Sequence, residues 1–295
     1  MQQLVALMEL CPHAAPEIEG QLLRGLEDED PRVKVEALLQ SKSLAESRQE
    51  RSETLAVAAH QACVDKEPRV RMEALRQLVH VIECSPQRGK EAVAALLRCC
   101  EDDGSQVVVT AIGQIAKLLE MCPDCAADVW PVMRRACSHG DWRIRSVAMG
   151  QVAATGLGGP EATVACLLDG CDDGDVCVQA EVLRHLIALI KTYPAKAGAI
   201  IEAVFRGCRS EASYVRAAAL AQLPELAKVC PSESDRIFSA LLAGCASADT
   251  CVNSAAKGAL KEFLQICPSK AEDVLESLVS PGSDEALSTN PGSEE

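Results

Sequence analysis

A valine or isoleucine follows a turn at seven places in the chain, Val33, Val70, Val107, Ile144, Val178, Val215 and Val252, and the intervals between them are 37, 37, 37, 34, 37 and 37 residues. A period of this length overrides any domain count drawn from the 295-residue length, because units that cannot bury an apolar face alone must stack on one another. With these residues as position 0, alanine or valine recurs at position 4 (Ala37, Ala74, Ala111, Ala148, Val182, Ala219, Ala256). Leucine or a close relative follows at position 8 in most copies. Positions 0, 4, 8 and 11 share one side of a 3.6-residue helix, which predicts a second helix in each unit. Upstream, positions −11 and −7 are apolar, as in Leu96 with Cys100 and Leu241 with Cys245, and this i, i+4 spacing predicts a first helix. Turns such as EDDGS and DDGD supply N-caps between the two. A proline column (Pro12, Pro86, Pro123, Pro160, Pro194, Pro231, Pro268) marks where each next helix begins, since proline is accommodated in the first turn and not in the middle. Each unit is therefore expected to be a helical hairpin.

Two departures carry their own expectations. The polar stretch SKSLAESRQERSET lacks the column's proline, which predicts a looser connection between the first two units. Unit five has three residues fewer than its fellows between Pro160 and Cys171, which predicts a first helix shortened by about one turn. Pro12 closes a unit whose first helix is missing, so residues 1–11 are expected to be a partial repeat, serving as a cap helix or as the stump of a longer array. From Ser280, SPGSDEALSTNPGSEE has no apolar stripe and predicts a disordered acidic tail over 280–295. The repeat array then occupies residues 12–279.

Composition supports an all-α stack. Hydrophobic residues make up 48% but include only two Trp, two Tyr and three Phe, a mix suited to small-residue helix packing rather than to a sandwich or barrel. The net charge of −14 opposes phosphate backbones and anionic membrane surfaces, so nucleic acid and membrane are not expected partners. The N-terminus MQQLVALMELCP has no basic region or cleavage site of a signal peptide, and no apolar run reaches the roughly 18 residues of a membrane span. The expected location is the cytoplasm or nucleus.

The segments DKEPRVRMEAL, HGDWRIRSVAM and SEASYVRAAAL resemble the HEAT-repeat pattern of an acidic turn, a valine-arginine step, then alanines and a leucine. The resemblance covers residues 12–279 and implies an α-solenoid of about seven hairpins, in a family composed mostly of scaffolds and binding proteins. It also implies that Lys34, Arg71, Arg145 and Arg216, at position 1, pair with turn aspartates. Val108, Gln179 and Asn253 interrupt that ladder.

Sixteen cysteines call for a role. Six stand at position −7, Cys63, Cys100, Cys137, Cys171, Cys208 and Cys245, where the first unit has Leu26. A position that accepts leucine is apolar core, where free cysteine acts as a small hydrophobe. Equivalent positions of stacked hairpins lie about 8–10 Å apart, too far for a disulfide, and Cys122 with Cys125 forms the one CxxC, without a partner pair at zinc spacing. These thiols are expected to be reduced and metal-free, with Cys177 and Cys251 the most exposed. Glutamine recurs at position 7 (Gln77, Gln114 and Gln151 among others), either as a structural polar ladder or as a ligand-reading row. The five histidines form no ligand pattern and no His-Glu dipeptide of the HEAT-fold hydroxylases occurs; GLGGP at 156–160 reads as a helix terminator.

The face of the second helices at positions 2, 6, 9 and 13, which the HEAT resemblance places on the concave side, carries small and apolar residues. Position 13 changes from Glu46, Glu83 and Glu120 to Lys191 and Lys228. Either these residues open a groove or they permit close helix packing. The expected function is a noncatalytic, monomeric scaffold or adaptor without cofactors. It binds another protein or peptide, a basic surface suiting its acidity, through a groove lined by Met72, Arg76, Val109, Gly113 and Arg184. The alternatives are a HEAT-fold enzyme of the bilin lyase kind or a fragment of a larger solenoid. A base-excision glycosylase needs a basic, aromatic-lined groove that the sequence lacks.

Overall fold

The computed structural model describes residues 12–47, 52–84 and 88–271, so the expected cap at 1–11 and tail at 280–295 lie outside the described residues. The described residues form seven helical hairpins and contain no strand. The first helices are α1 (Ala15–Leu26), α3 (Ser52–Ala62), α5 (Gly89–Cys99), α8 (Ala126–Cys137), α10 (Gly159–Cys171), α12 (Ala197–Gly207) and α14 (Ser234–Cys245). Their partners are α2 (Pro31–Ser47), α4 (Pro68–Cys84), the pair α6 (Ser105–Gly113) and α7 (Ile115–Met121), α9 (Trp142–Thr155), α11 (Val176–Thr192), α13 (Ser213–Val229) and α15 (Thr250–Ile266). The chain divides into two compact units, residues 1–197 with hairpins one to five and residues 198–295 with hairpins six and seven.

Within the first unit the second helices pack in series, α2 on α4, α4 on α6, α6 on α9 and α9 on α11. The expected stripe supplies that core: Val70, Ala74 and Leu78; Val107, Ala111, Ile115 and Leu118; Ile144, Ala148 and Val152; Val178, Val182 and Leu186 are all buried. First helices contribute Leu22, Ala59, Leu96, Met133 and Leu167 at position −11. In the second unit α13 packs on α15, burying Val215, Ala219, Leu223, Val252, Ala256 and Phe263. Each larger aliphatic side chain contributes about 1.5–3 kcal/mol on burial, and the alanines at position 4 let neighbouring helices approach.

The turn between the two helices is built the same way in every hairpin. At position −5, Asp28, Asp65, Asp102, His139, Asp173, Ser210 and Ser247 each accept the backbone N–H two residues on, at 2.8–3.3 Å. Asp30, Asp141, Asp175 and Asp249 then cap the second helix by accepting an N–H of its first turn. Position 1 closes the turn from inside the helix. Arg71 donates to the carbonyls of Asp65 and Lys66, Arg145 to those of His139 and Gly140, and Arg216 to those of Ser210 and Glu211.

Position 1 also reaches forward. Lys34 pairs with Asp65 at 2.5 Å, Arg71 with Asp102 at 2.7 Å, and Arg145 with Asp173 at 2.7 Å, each aspartate belonging to the following hairpin. Arg216 departs from the expected ladder: the next hairpin offers Ser247 in place of an aspartate, and the guanidinium instead meets the Ser213 hydroxyl at 3.2 Å. Gln179 and Asn253 keep the carbonyl contacts through their side-chain amides, so the ladder loses charge at these steps without losing the turn. Val108 is simply buried.

The deletion in unit five falls elsewhere than expected. Helix α10 keeps 13 residues and is no shorter than its counterparts. The shortfall is taken by α9, which has 14 residues where α2, α4, α11, α13 and α15 have 17, and by the link to α10. Before α8, α12 and α14 that link is a 3-10 turn opened by Pro123, Pro194 or Pro231; before α10 it is Gly156–Gly158 alone. Helix α2 runs through Ser47, and the rest of the expected loose connection, residues 48–51, lies outside the described residues.

The ion pairs give the fold a defined acid sensitivity. Burial acts to raise the Asp173 carboxyl, but the hydrogen bonds from Arg145 and the Asp175 N–H outweigh it and hold it below the usual range; Lys34 does the same for Asp65. A carboxyl lowered on folding contributes stability that is present above its unfolded value near pH 4 and is lost as pH falls through the folded value. Stability in urea should therefore stay level from pH 7 to 5 and drop below about pH 4. Arg145→Ala should cost about 2 kcal/mol at pH 7 and much less near pH 2. An equal cost at both pH values would show that the pair is not the source.

Candidate binding surface

Position 6 of four consecutive second helices, α4, α6, α9 and α11, reads Arg76, Gly113, Gly150 and Arg184. Arg76 is 54% exposed and its guanidinium lies 3.1 Å from the Glu73 carboxylate one turn back. Arg184 is 40% exposed and lies 2.7 Å from Glu181 in the same i, i+3 relation. Both arginines are thus held along their own helices. Between them, a Cβ placed on Gly113 would meet nothing within 4 Å, whereas one on Gly150 would stand 3.5 Å from Glu181 Oε1 and 3.6 Å from His185 Nε2. Of the two readings of these glycines, close packing describes Gly150 and open surface describes Gly113. Met72 and Val109, at position 2, are half-buried. Successive helices about 10 Å apart place the two arginines roughly 30 Å from each other, with the two glycine-bearing helices between them.

The second helix of hairpin three is interrupted where the sequence pattern predicts continuity. Helix α6 ends at Gly113, the Gln114 N–H turns to the Ala111 carbonyl at 3.1 Å, and α7 starts at Ile115. The Ala116 N–H is satisfied across the stack by Gln151 Oε1 at 2.8 Å, so one glutamine of the position 7 row ties hairpin four to the break. Gln77 is buried and bonds Glu73 within its own helix, as Gln40 bonds Glu36. The row therefore mixes stacking contacts with local ones. Glycine is a known site of helix interruption, and Gly113 was the only sequence signal for it.

The face continues into a cleft. Ala116 and Glu120, positions 9 and 13 of hairpin three, line a cavity of about 810 Å³ together with Trp130 of α8, Ala154 of α9 and the Leu157–Gly159 loop. The loop is set by three glycines at positive φ, Gly156, Gly158 and Gly159. Gly156, at φ 65°, ends α9 by donating to the Val152 carbonyl, and Gly158, at φ 84°, leaves 2.6 Å between a would-be Cβ and the Trp130 ring. The buried Thr163 hydroxyl fastens the loop by donating to the Leu157 carbonyl at 2.8 Å. Reading GLGGP as a terminator accounts for the end of α9. Trp130 has no counterpart in the repeat pattern to signal it, and its pocket arises where the 3-10 turn is lost.

Rim charges are largely engaged. Glu83 accepts from Lys117 of the next hairpin at 2.6 Å and from His80 at 2.9 Å, and Lys117 first, then His80, holds its carboxyl below the usual range. In the second unit Lys228 spans to Glu262 at 3.1 Å. Burial acts upward on Glu181, but His185 and Arg184 pull it down. Glu46 lies among residues whose side chains are outside the description.

The described cysteines are free thiols. In the position −7 column Cys63 and Cys137 are buried and Cys100, Cys171, Cys208 and Cys245 half-buried; burial pushes Cys100 and Cys208 up to about 12. Cys251 is exposed and Cys177 half-buried. Among the described residues no group of three His, Cys, Asp or Glu side chains is placed to hold a metal ion, and no helix is long and apolar enough to cross a membrane.

Seven hairpins on a repeat of mostly 37 residues, each closed by the same hydrogen-bonded turn, define an α-solenoid of HEAT-repeat architecture. The family model for the R4 domain of Integrator complex subunit 1 matches residues 20–123, about a third of the chain. No curated protein matches the sequence. Among solved structures, a Kap121p mutant aligns with TM-score 0.68 at 17% identity, covering 90% of this chain and 31% of its own. Importin beta aligns with TM-score 0.66 at 14% identity, covering 95% and 41%. A structure of Kap95p binding RanGDP aligns with TM-score 0.63 at 14% identity, covering 92% and 36%. At these identities the likeness is one of fold, and the chain spans between a third and two-fifths of those proteins' length.

Two glycines of this surface should respond oppositely to the same change. Gly113→Ala adds helix propensity in open space and should raise stability by about 0.5–1 kcal/mol. Gly158→Ala forces a left-handed Cβ into the Trp130 ring and should cost about 1–3 kcal/mol. Urea unfolding of both variants tests the assignment, and a Gly113→Ala protein weaker than the parent would contradict the open face.

Proposed function

We propose that the chain is a noncatalytic protein-binding module that receives an extended segment of its partner on the face of the second helices of hairpins two to five that lies opposite the buried stripe. The observation that carries this reading is the continuity of the Arg76, Gly113, Gly150, Arg184 row with the Trp130 cleft through Ala116 and Glu120. Met72 and Val109 give the floor apolar area. Arg76, already oriented by Glu73, offers N–H donors to main-chain carbonyls of the segment, and Arg184, paired with Glu181, marks the other end of the row. The cleft accepts an apolar side chain. The net charge of −14 and the exposed Glu120 at its rim favour lysine or arginine flanking that anchor.

The relatives support the class of activity. Kap95p is described as binding RanGDP, and the R4 domain belongs to a subunit of a complex. The corresponding role here is scaffold or adaptor within an assembly, in the cytoplasm or nucleus.

Peptide arrays displaying apolar anchors between basic residues, followed by titration calorimetry on the best binder, test the proposal. Gly113→Arg should block binding, Trp130→Ala should weaken it at least tenfold, and Arg76→Ala and Arg184→Ala should each cost about 1–2 kcal/mol, with helicity unchanged. Normal binding by all four variants would remove the surface from consideration.

A further inference from the structure

Thiols at equivalent positions do not meet along the stack, but two pairs at unequal positions do. Cys63 follows α3 in hairpin two and Cys99 ends α5 in hairpin three; their thiols share a hydrogen bond, and Cys99 Sγ lies 3.6 Å from the Cys63 carbonyl oxygen. Cys137 ends α8 in hairpin four and Cys166 lies within α10 in hairpin five; these thiols also share a hydrogen bond, with Met149 Sδ 3.7 Å from Cys166 Sγ. Each pair opens on its own cleft between successive first helices, of about 430 Å³ for Cys63 and Cys99 and about 580 Å³ for Cys137 and Cys166. The first cleft also holds the Arg71 and Asp102 ion pair, and the second that of Arg145 and Asp173. The same arrangement thus occurs twice in one unit, at alternate junctions between hairpins.

We propose that these two pairs are oxidation sites that hydrogen peroxide converts to disulfides, each stapling one hairpin to the next. Within a pair the two sulfurs have different parts. The hydrogen bond from Cys63 pulls Cys99 below the ordinary thiol range against burial and the Asp102 charge, with Arg71 and Arg98 assisting, while Cys63 itself is pushed up by that bond and by burial. Cys166 is lowered and Cys137 raised for the same reason. The thiolate is the nucleophile; Arg71 and Arg98 line the cleft beside Cys99, and Cys166 is half-buried where Cys137 is buried, so Cys99 and Cys166 react first. Cys99 sulfur attacks one peroxide oxygen, the O–O bond breaks, and the departing hydroxide takes up a proton to leave as water. The resulting sulfenic acid is attacked by the Cys63 sulfur; the S–S bond forms, the S–O bond breaks, and hydroxide leaves with the Cys63 proton as a second water. Two thiols lose two electrons and one peroxide gains them. A cellular thiol reverses the step by exchange. The stapled elements are first helices, away from the row of position 6, so oxidation fixes the spacing of hairpins; only at Cys137 and Cys166 does the cleft share a wall, Trp130, with the proposed binding face.

The full-length chain, reduced and desalted, is treated with one to a few equivalents of peroxide, alkylated, digested and mapped by mass spectrometry. Cys251→Ser removes the exposed thiol, and Cys100→Ser removes the neighbour that shares peptides with Cys99. The expected products are the Cys63–Cys99 and Cys137–Cys166 cross-links, formed about tenfold faster than any other thiol is lost. In Cys63→Ser, Cys99 should accumulate as a dimedone-trapped sulfenic acid, whereas Cys99→Ser should leave Cys63 unlabelled. If a serine variant loses its helical signal, the mapping of the parent decides alone. Links scattered over other cysteines, or Cys63 labelled ahead of Cys99, overturn the proposal.

Discussion

The rest of the architecture depends on one hydrogen-bonded turn. Between the two helices of a hairpin the chain reverses within a few residues, and the N–H and carbonyl groups freed there need partners. The residue at position −5 takes one N–H, and in five of the seven hairpins the residue at position 1 takes one or two carbonyls from the following helix. Acid, serine or histidine can do the first task, and arginine, glutamine or asparagine the second, so hairpins with different residues keep one geometry. Where an arginine or lysine meets an aspartate of the next hairpin, the same side chain also sets the spacing of the stack. The alanine stripe can pack tightly only because the turns hold successive helices at a constant offset.

This division explains what the sequence made legible. Hairpin number, helix order and the buried stripe all follow from residues repeated seven times, where noise at one copy is corrected by the others; the ladder, basic in four copies, was legible in three of them. Features that occur once were misread or unseen. The missing three residues pointed to a short α10, because the proline column suggested that helices begin on schedule; in fact the glycines of the GLGGP segment ended α9 early and removed a 3-10 turn. The break after Gly113 had no counterpart in other copies and left only a glycine as a trace. Pro131 lies inside α8 and Pro224, buried, inside α13, although the prolines of the repeated column mark boundaries. Comparing cysteines only at equivalent positions hid the two thiol pairs, whose members stand at different positions in neighbouring hairpins.

The two sets of helices carry different burdens. Ends of first helices gather the sulfur, the turn charges and the narrow clefts, all concerned with how one hairpin sits on the next. The faces of second helices opposite the buried stripe in the first unit carry little that the fold requires: glycine, half-buried methionine and valine, and arginines tethered to their own helices. Such a separation lets one side vary its residues while the other keeps the stack in order.

A perfectly regular array has an addressing problem, because a ligand that fits one step fits the step 37 residues away equally well and can slide. The shortened α9 and the glycine link after it remove that translational degeneracy. Hairpins one to four and hairpin five are out of phase by three residues, and Trp130 stands at the junction where the phase slips. The deletion works as a fiducial mark, giving an otherwise periodic surface a single origin from which position along it can be read.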